Sequence, residues 1–355
     1  MLQQLQRSGI SVPKQNIHLE QSGRGNNWAY GWSSEGLAGA AMESVRREAE
    51  ACDSFEGCIL THSLGGGTGA GLGSRLLQEL REELGCRYVA SAAAAPFHQG
   101  SPLQSYNTVL ALTHIDEFAD CATLFHNEDI TQSLLRGQAR KKGDATRLGF
   151  GEINRVIGLG LAGALFPVLK ANRKWRRHTL MDLVTSVCPY AGAKLIEIWS
   201  ITSSREPISW ASLVQESAEA APRYGEGGSL PRCLAASVVT RGGAANKLEA
   251  EADNLRNKLC KALPAVRWNP MPYTVQISSA PALKSLGLPA SSTVCLNRAY
   301  SARRFKGTLD KAQGMFDAGA YLHWYQRHGC EEDAFLGAFE ALEATWGCYE
   351  DLTTG

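Results

Sequence analysis

Several things are missing from this chain, and each absence removes a class of function. Net charge is nearly absent: 36 Lys and Arg face 35 Asp and Glu, a formal balance of +1. A dedicated nucleic-acid binder usually carries a basic excess, so that class is excluded. The local basic runs Arg136 to Lys142 and Arg173 to Arg177 read as solvated loops. No C-x-x-C pair occurs among the 10 cysteines, and the closest two, Cys52 and Cys58, are six apart. Neither a zinc pattern nor a dense disulfide framework fits that spacing; reduced thiols in a cytoplasmic protein do. No run is long enough to span a bilayer, because the longest apolar stretch, Leu159 to Leu169, is short and contains Pro167. Met1 to Ile10 are polar and lack the apolar core of a secretory leader. What remains is an ordinary globular composition, 44% hydrophobic and 20% charged, in 355 residues. That length predicts at least two domains.

The most informative stretch is Gly65 to Gly73, with six glycines in nine residues. It lies between an apolar run, Cys58 to Ser63, and a helix-like run, Ser74 to Leu84. Strand, glycine loop, helix is the order that builds an anion site. Glycines let backbone N–H groups converge, and the helix start adds unpaired N–H groups and a positive dipole end. Two familiar spellings do not match. Gly66 and Gly71 have the Walker spacing, but Leu72 and Gly73 follow where lysine and a hydroxyl belong. The dinucleotide pattern would need glycine at Ser74. The loop is therefore expected to hold phosphate with backbone donors and the Thr68 hydroxyl. A glycine-rich turn without a ligand is the competing reading.

Around this loop the order β-loop-α repeats, which predicts a parallel, doubly wound α/β sheet. Ser22 to Gly31 is a second glycine and asparagine loop. Ser33 or Ser34 caps a helix to about Cys52, with Leu37, Ala41, Val45 and Ala49 on one stripe. Tyr88 to Ala92 reads as a strand and Tyr106 to Ile115 as a helix; a further helix ends near Leu135. Phe150 opens a long apolar helix whose stripe is Ile153, Val156, Ile157 and Leu161. A helix over Thr179 to Val187 ends before Pro189. Strands at Lys194–Ile201, Cys233–Thr240 and Tyr273–Ser278 define a second α/β region, interrupted by a Pro/Gly/Ser-rich loop from Ala221 to Pro231. A charged helix, Leu248 to Leu263, and two amphipathic helices at 308–326 and 331–346 complete the chain.

Four separated stretches carry a family resemblance: Gly25-Asn26-Asn27-Trp28-Ala29, Gly65 to Gly71, Asn127-Glu128, and Phe150-Gly151-Glu152-Ile153-Asn154. The sequence resembles a tubulin, and Ala320 to Tyr325 is similar to the helix near that family's carboxyl end. Within the family the likeness is to delta-tubulins, on Asn27 to Gly31, Cys52 to Gly57 and Leu124 to Asp129. The family's first strand and first phosphate loop have no counterpart here, so the chain resembles an amino-terminally truncated member.

The resemblance implies a Rossmann-like nucleotide-binding domain over 1–152, a core helix over 153–170, a second α/β domain over 171–305 and a carboxyl-terminal helical hairpin over 306–355. It implies a GTP or GDP site with magnesium. Gly25 and Asn26 would approach the γ-phosphate; Ser63, Gly66, Gly67, Thr68 and Gly69 would hold phosphates. Asn127 and Asn154 would hydrogen-bond the guanine edge, and Phe150 would stack on the base. Asp182 would orient the attacking water in trans, toward a neighbouring subunit. The implied partners are other tubulins or microtubules, with no nucleic acid or membrane, at the cytoskeleton, centriole or basal body. Two departures stand out. Between Pro96 and Tyr106 there is no carboxylate for the ribose, only His98, Gln99, Gly100, Ser101 and Gln104. Arg24 occupies a usually small position, where it could clash or add a phosphate contact. A non-hydrolysing structural subunit is the alternative these departures leave open.

Overall fold

The computed structural model describes residues 11–97, 100–140, 148–169, 175–176, 179–203, 209–222, 231–242, 251–281 and 288–354. Parts of both basic runs, most of the 221–231 loop, the first turn predicted for the 248–263 helix, and His98 and Gln99 lie outside the described residues.

The strands in chain order are β1 (Gly57–Ser63), β2 (Tyr88–Ala95), β3 (Cys121–His126), β4 (Val168–Leu169), β5 (Trp175–Arg176), β6 (Leu195–Ser203), β7 (Cys233–Arg241), β8 (Tyr273–Ser278) and β9 (Ala290–Arg298). Seven of them form one mixed sheet in the order β1-β2-β3-β6-β9-β7-β8, while β4 and β5 pair separately. β1, β2, β3 and β6 run parallel, as the β-loop-α repeat predicts. The expectation of a purely parallel sheet fails at β9, which lies antiparallel between β6 and β7. The strand candidates of the second region join the first three through a narrow seam, Ala122 beside Leu195 and Thr123 beside Ile196.

Sequence reading misses β9, and the reason is physical. All nine of its residues are buried, so it shows no alternation of polar and apolar positions. Several of its polar side chains are satisfied internally, although among the described residues Ser291 Oγ has no partner. The Ser292 hydroxyl meets Ser217 Oγ at 3.0 Å, Thr293 meets Ser200 Oγ at 2.9 Å, and Asn297 donates to the carbonyls of Val187 and Ala193. Its last residue, Arg298, grips Glu197 with two bonds of 3.0 and 2.6 Å in the interior. β3 is missed for the same reason, since all six of its residues are buried.

The helices are α1 (Trp28–Trp32), α2 (Glu35–Glu50), α3 (Gly73–Glu82), α4 (Leu103–Phe118), α5 (Asn127–Arg140), α6 (Phe150–Leu165), α7 (Leu180–Val187), α8 (Trp210–Ala220), α9 (Ala252–Ala262), α10 (Ala299–Asp317), α11 (Leu322–Gln326) and α12 (Glu332–Thr354). α3 is preceded by a wide helical turn, Gly67–Leu72. In α2 the buried stripe is Ala38 and Met42, one residue on from the predicted one. Ala41, Val45 and Ala49 instead line a shallow groove beside Cys58, at the sheet's open edge. The stripe of α6 also differs. Gly160, Ala162, Gly163 and Ala164 are buried with Ile153, whereas Val156, Ile157 and Leu161 are half-buried. Small residues let that helix settle closely on the sheet: a Cβ at Gly163 would stand 1.9 Å from Thr293 Oγ1.

The carboxyl-terminal helices begin and end elsewhere than predicted. α10 follows β9 without a loop, and left-handed residues at Gly319 (φ 62°) and Tyr321 (φ 63°) separate it from α11. α10 and α12 pack on each other and on α4. Enclosed by α3, α10, α12 and the sheet, α4 is buried on nearly every side. Two apolar clusters result. One holds Leu77, Val89, Tyr106, Leu110, Phe305 and Phe335; the other holds Ile153, Leu183, Ile196, Trp199, Val214 and Val294. All ten cysteines are free thiols.

Candidate functional site

A cavity of about 510 Å³ opens at the carboxyl ends of β1 and β2. Ligands in sheets of this kind bind there, because the loops leaving parallel strands converge on that side. Its lining joins Asn26, Ser63, Gly65 and Gly66 to Asn127, Phe150 and Asn154, which are far apart in sequence. Six of the predicted site residues thus meet in one place: Asn26, Ser63, Gly66, Asn127, Phe150 and Asn154.

The glycine cluster turns out to have two separate purposes. Gly66 borders the cavity, and a Cβ there would find only Ser63 Oγ, at 3.8 Å. Gly67, Gly69 and Gly71 lie against backbone. A Cβ at Gly67 would stand 2.4 Å from Arg24 O, at Gly69 2.7 Å from Ser63 O, and at Gly71 2.0 Å from Trp28 O. Gly31 returns the contact, its Cβ position lying 2.1 Å from Gly67 O. These glycines exist because α1, the end of β1 and the wide turn touch main chain to main chain. Gly67, Thr68 and Gly69 are not in the cavity lining. They form the first turn of the helix that starts there, where N–H groups lack partners within the helix. Thr68 is exposed on that turn. Among the described residues no protein acceptor takes the N–H of Gly65 or Gly66.

The other end of the cavity has a different chemistry. Phe150 is 67% exposed although it is a large apolar ring, and Phe97 sits edge-on to it at 6.4 Å. Among the described residues, no protein group bonds the side-chain amides of Asn127 and Asn154. Such amides can both donate and accept. Gln104 also lines the cavity, and among the described residues its buried Oε1 has no partner. Among the described residues the lining contains no charged side chain. Negative charge in this cavity would be met, among the described residues, by N–H groups and the helix start.

The remaining predicted residues lie elsewhere. Gly25 (φ 55°) and Asn26 (φ 53°) are consecutive left-handed residues, a tight turn that presents Asn26 to the cavity while Gly25 stays outside its lining. Arg24 does not enter the site. Its buried guanidinium pairs with Glu20 and lies 4.9 Å over the Tyr30 ring. Asp182 is not in the cavity lining and belongs to a capping box. Its Oδ2 accepts from Thr179 N at 3.1 Å, and its own N–H donates to Thr179 Oγ1 at 3.2 Å.

Two residues that sequence reading overlooked organise the loops. Asn107, fully buried on α4, contacts both of them through its side chain. His62 on β1 ties the strand to the wide turn: Nδ1 donates to Gly69 O and Nε2 accepts from Ser91 Oγ, each at 2.8 Å. Burial holds this imidazole below its ordinary range and so keeps it neutral. The only sign of Asn107 in the sequence is a polar residue inside the apolar run Tyr106 to Ile115.

A strand, glycine turn and helix start at one end of a pocket, with an exposed ring and two amides at the other that are free among the described residues, describe an α/β protein with a nucleotide-type cavity. Comparison with known proteins gives the family. Residues 1–134 match the profile described as Tubulin/FtsZ family, GTPase domain. The chain is 30% identical over 341 residues to the tubulin beta chain of Pneumocystis carinii, covering 91% of this chain and 73% of that one. It is 29% identical over 366 residues to the tubulin beta-4 chain of Zea mays, covering 97% and 78%. The chain belongs to the tubulin family.

Proposed function

We propose that this protein binds guanine nucleotide in the β1–β2 cavity and acts as a cytoskeletal tubulin of the delta type, in centriole, basal-body or cilium assembly, through contacts with other tubulin subunits. The observation that carries the nucleotide reading is the cavity's polarity. Among the described residues, unpaired N–H groups and a helix start stand at one end, and an exposed phenyl ring with two unpaired amides stands at the other. Phosphates fit the first end and a purine base the second. Gly25 and Asn26 approach the terminal phosphate; Ser63, Gly66, Gly67, Thr68 and Gly69 surround the others. Asn127 and Asn154 read the base edge against Phe150. Gln104 is the group available to the ribose where the family places an acid. The delta assignment rests on Asn27 to Gly31, Cys52 to Gly57 and Leu124 to Asp129. The organisation at 1–152, 153–170, 171–305 and 306–355 is part of the same proposal.

Magnesium usually takes one or two carboxylates besides phosphate oxygens. Among the described residues the cavity lining offers none, and we derive no step through a metal. Hydrolysis would draw on Asp182 in trans, but that carboxylate already has a use within its own helix cap. The engaged Asp182, with no carboxylate in the lining among the described residues, favours a second reading, a subunit that binds nucleotide without hydrolysing it.

Calorimetric titration of the purified chain with GTP, GDP and ATP tests the site. Saturable binding of the guanine nucleotides, with ATP at least about tenfold weaker, is expected. Folded protein that binds neither GTP nor GDP would refute it. The delta role predicts that a tagged copy in ciliated cells concentrates at centrioles; uniform incorporation along microtubules would argue for another subtype.

A further inference from the structure

We propose that Asn107 is a positioning residue for the phosphate end of the cavity, and that it makes the geometry of that end depend on Tyr325 in α11. This rests on the nucleotide reading above. The Asn107 carboxamide is fully buried and uses its whole hydrogen-bonding capacity. Nδ2 donates to Asn26 O and to Gly65 O, each at 2.9 Å. Oδ1 accepts from Trp28 N and from the Tyr325 hydroxyl, each at 2.8 Å. The amide's orientation is determined by its partners, since carbonyls can only accept and a backbone N–H can only donate. One side chain therefore spans the Gly25–Trp28 loop, the glycine loop and the carboxyl-terminal segment.

Two features indicate that the loop needs this restraint. Gly25 and Asn26 are both left-handed, and for Asn26 that conformation carries a cost that surrounding structure must offset. The same loop is tied again to α11, because Asn27 Nδ2 donates to Trp324 O at 2.9 Å. Beyond α11, the rings of Tyr30 and His328 stack at 4.6 Å. The base end has no comparable link: Phe150 is largely exposed, and the Asn127 and Asn154 amides are unpaired by protein groups among the described residues. Loss of the Asn107 bonds should therefore loosen the phosphate end and leave the base end in place.

Asn107→Asp keeps the shape and both accepting contacts but turns a carboxylate oxygen toward two carbonyls. GTP affinity should fall about tenfold or more, while guanosine affinity stays within about twofold. A general loss of stability would weaken both ligands alike, so the GTP-to-guanosine ratio is the diagnostic quantity. Tyr325→Phe retains the ring, loses one donor and should shift the ratio the same way by less; it carries the test if Asn107→Asp does not fold. An unchanged ratio in a folded variant overturns the proposal. Hydrogen exchange without ligand gives an independent readout. Peptides covering 24–28 and 64–66 should exchange faster in the variants than in the wild type, and equal rates would refute the positioning role. If the wild type binds no GTP, the nucleotide reading fails, and exchange still decides whether Asn107 holds the loops.

Discussion

Substituting Ala at Gly66 and at Gly71 should give opposite phenotypes, although the two glycines are five residues apart in one cluster. At Gly71 the added carbon would stand 2.0 Å from Trp28 O, 2.7 Å from Trp32 N and 2.8 Å from Gly31 Cα. All three are main-chain atoms of one short helix and its end, so no side-chain rotation relieves the overlap. Overpacking costs about 1–3 kcal/mol when side chains can adjust, and this site falls at or above the upper end. Against a total stability of about 5–15 kcal/mol, a loss of about 3 kcal/mol lowers the melting temperature of a chain this long by about 4 °C. At Gly66 the φ of −102° suits any residue and the nearest atom is 3.8 Å away. Restricting the unfolded chain there is worth about 0.4–1 kcal/mol, so melting should stay level or rise slightly. The new methyl would, however, border the proposed phosphate seat, and GTP affinity should drop about tenfold. Differential scanning fluorimetry and calorimetric titration of both variants read these effects. A Gly71→Ala protein that melts within a degree of the wild type would refute the close-packing account. A Gly66→Ala protein with unchanged GTP affinity would remove Gly66 from the site.

Phe150→Ala should weaken guanine-nucleotide binding about fivefold or more and hardly move the melting temperature, because a ring 67% exposed contributes little to the core; a marked loss of stability would show the ring to be structural. Glu197→Gln should cost about 3–5 kcal/mol, since it leaves the Arg298 guanidinium, 2% exposed, without its counter-charge; urea unfolding that shows less than about 1 kcal/mol would contradict that. Acid should destabilise the protein through His62 and His114. Burial pushes both imidazoles below their ordinary 6.5, so below that pH the unfolded chain takes up protons that the native state resists. Their contribution is complete above about pH 6.5 and is lost as pH falls toward the depressed native values. Buried Asp116 and Asp129 are pushed upward and oppose the trend toward the carboxylate range. The urea midpoint should be lower at pH 5.5 than at pH 7.5, with a smaller difference in His62→Gln; equal dependence in both proteins would clear His62 of the role.

Much of the cavity's lining was legible in the sequence because its parts are local. A strand, a glycine turn and a helix start lie within about thirty residues, and Asn127, Phe150 and Asn154 stand at the beginnings of helices. Backbone freedom and helix ends are local properties, and residue type reports them directly. The parallel pairing of β1 with β2 followed from the same local repeats, whereas β3 did not show itself. Tertiary structure alone decided the rest. It made one sheet of two regions through the seam at Ala122 and Thr123, and it hid β9 by covering both faces. It divided the glycines into Gly66, which borders the cavity, and Gly67, Gly69 and Gly71, which admit neighbouring backbone. It also turned Arg24 away toward Glu20 and brought Tyr325 to Asn107 across 218 positions of chain. Composition and spacing cannot report such contacts, because what each residue does there depends on atoms supplied by distant parts of the chain.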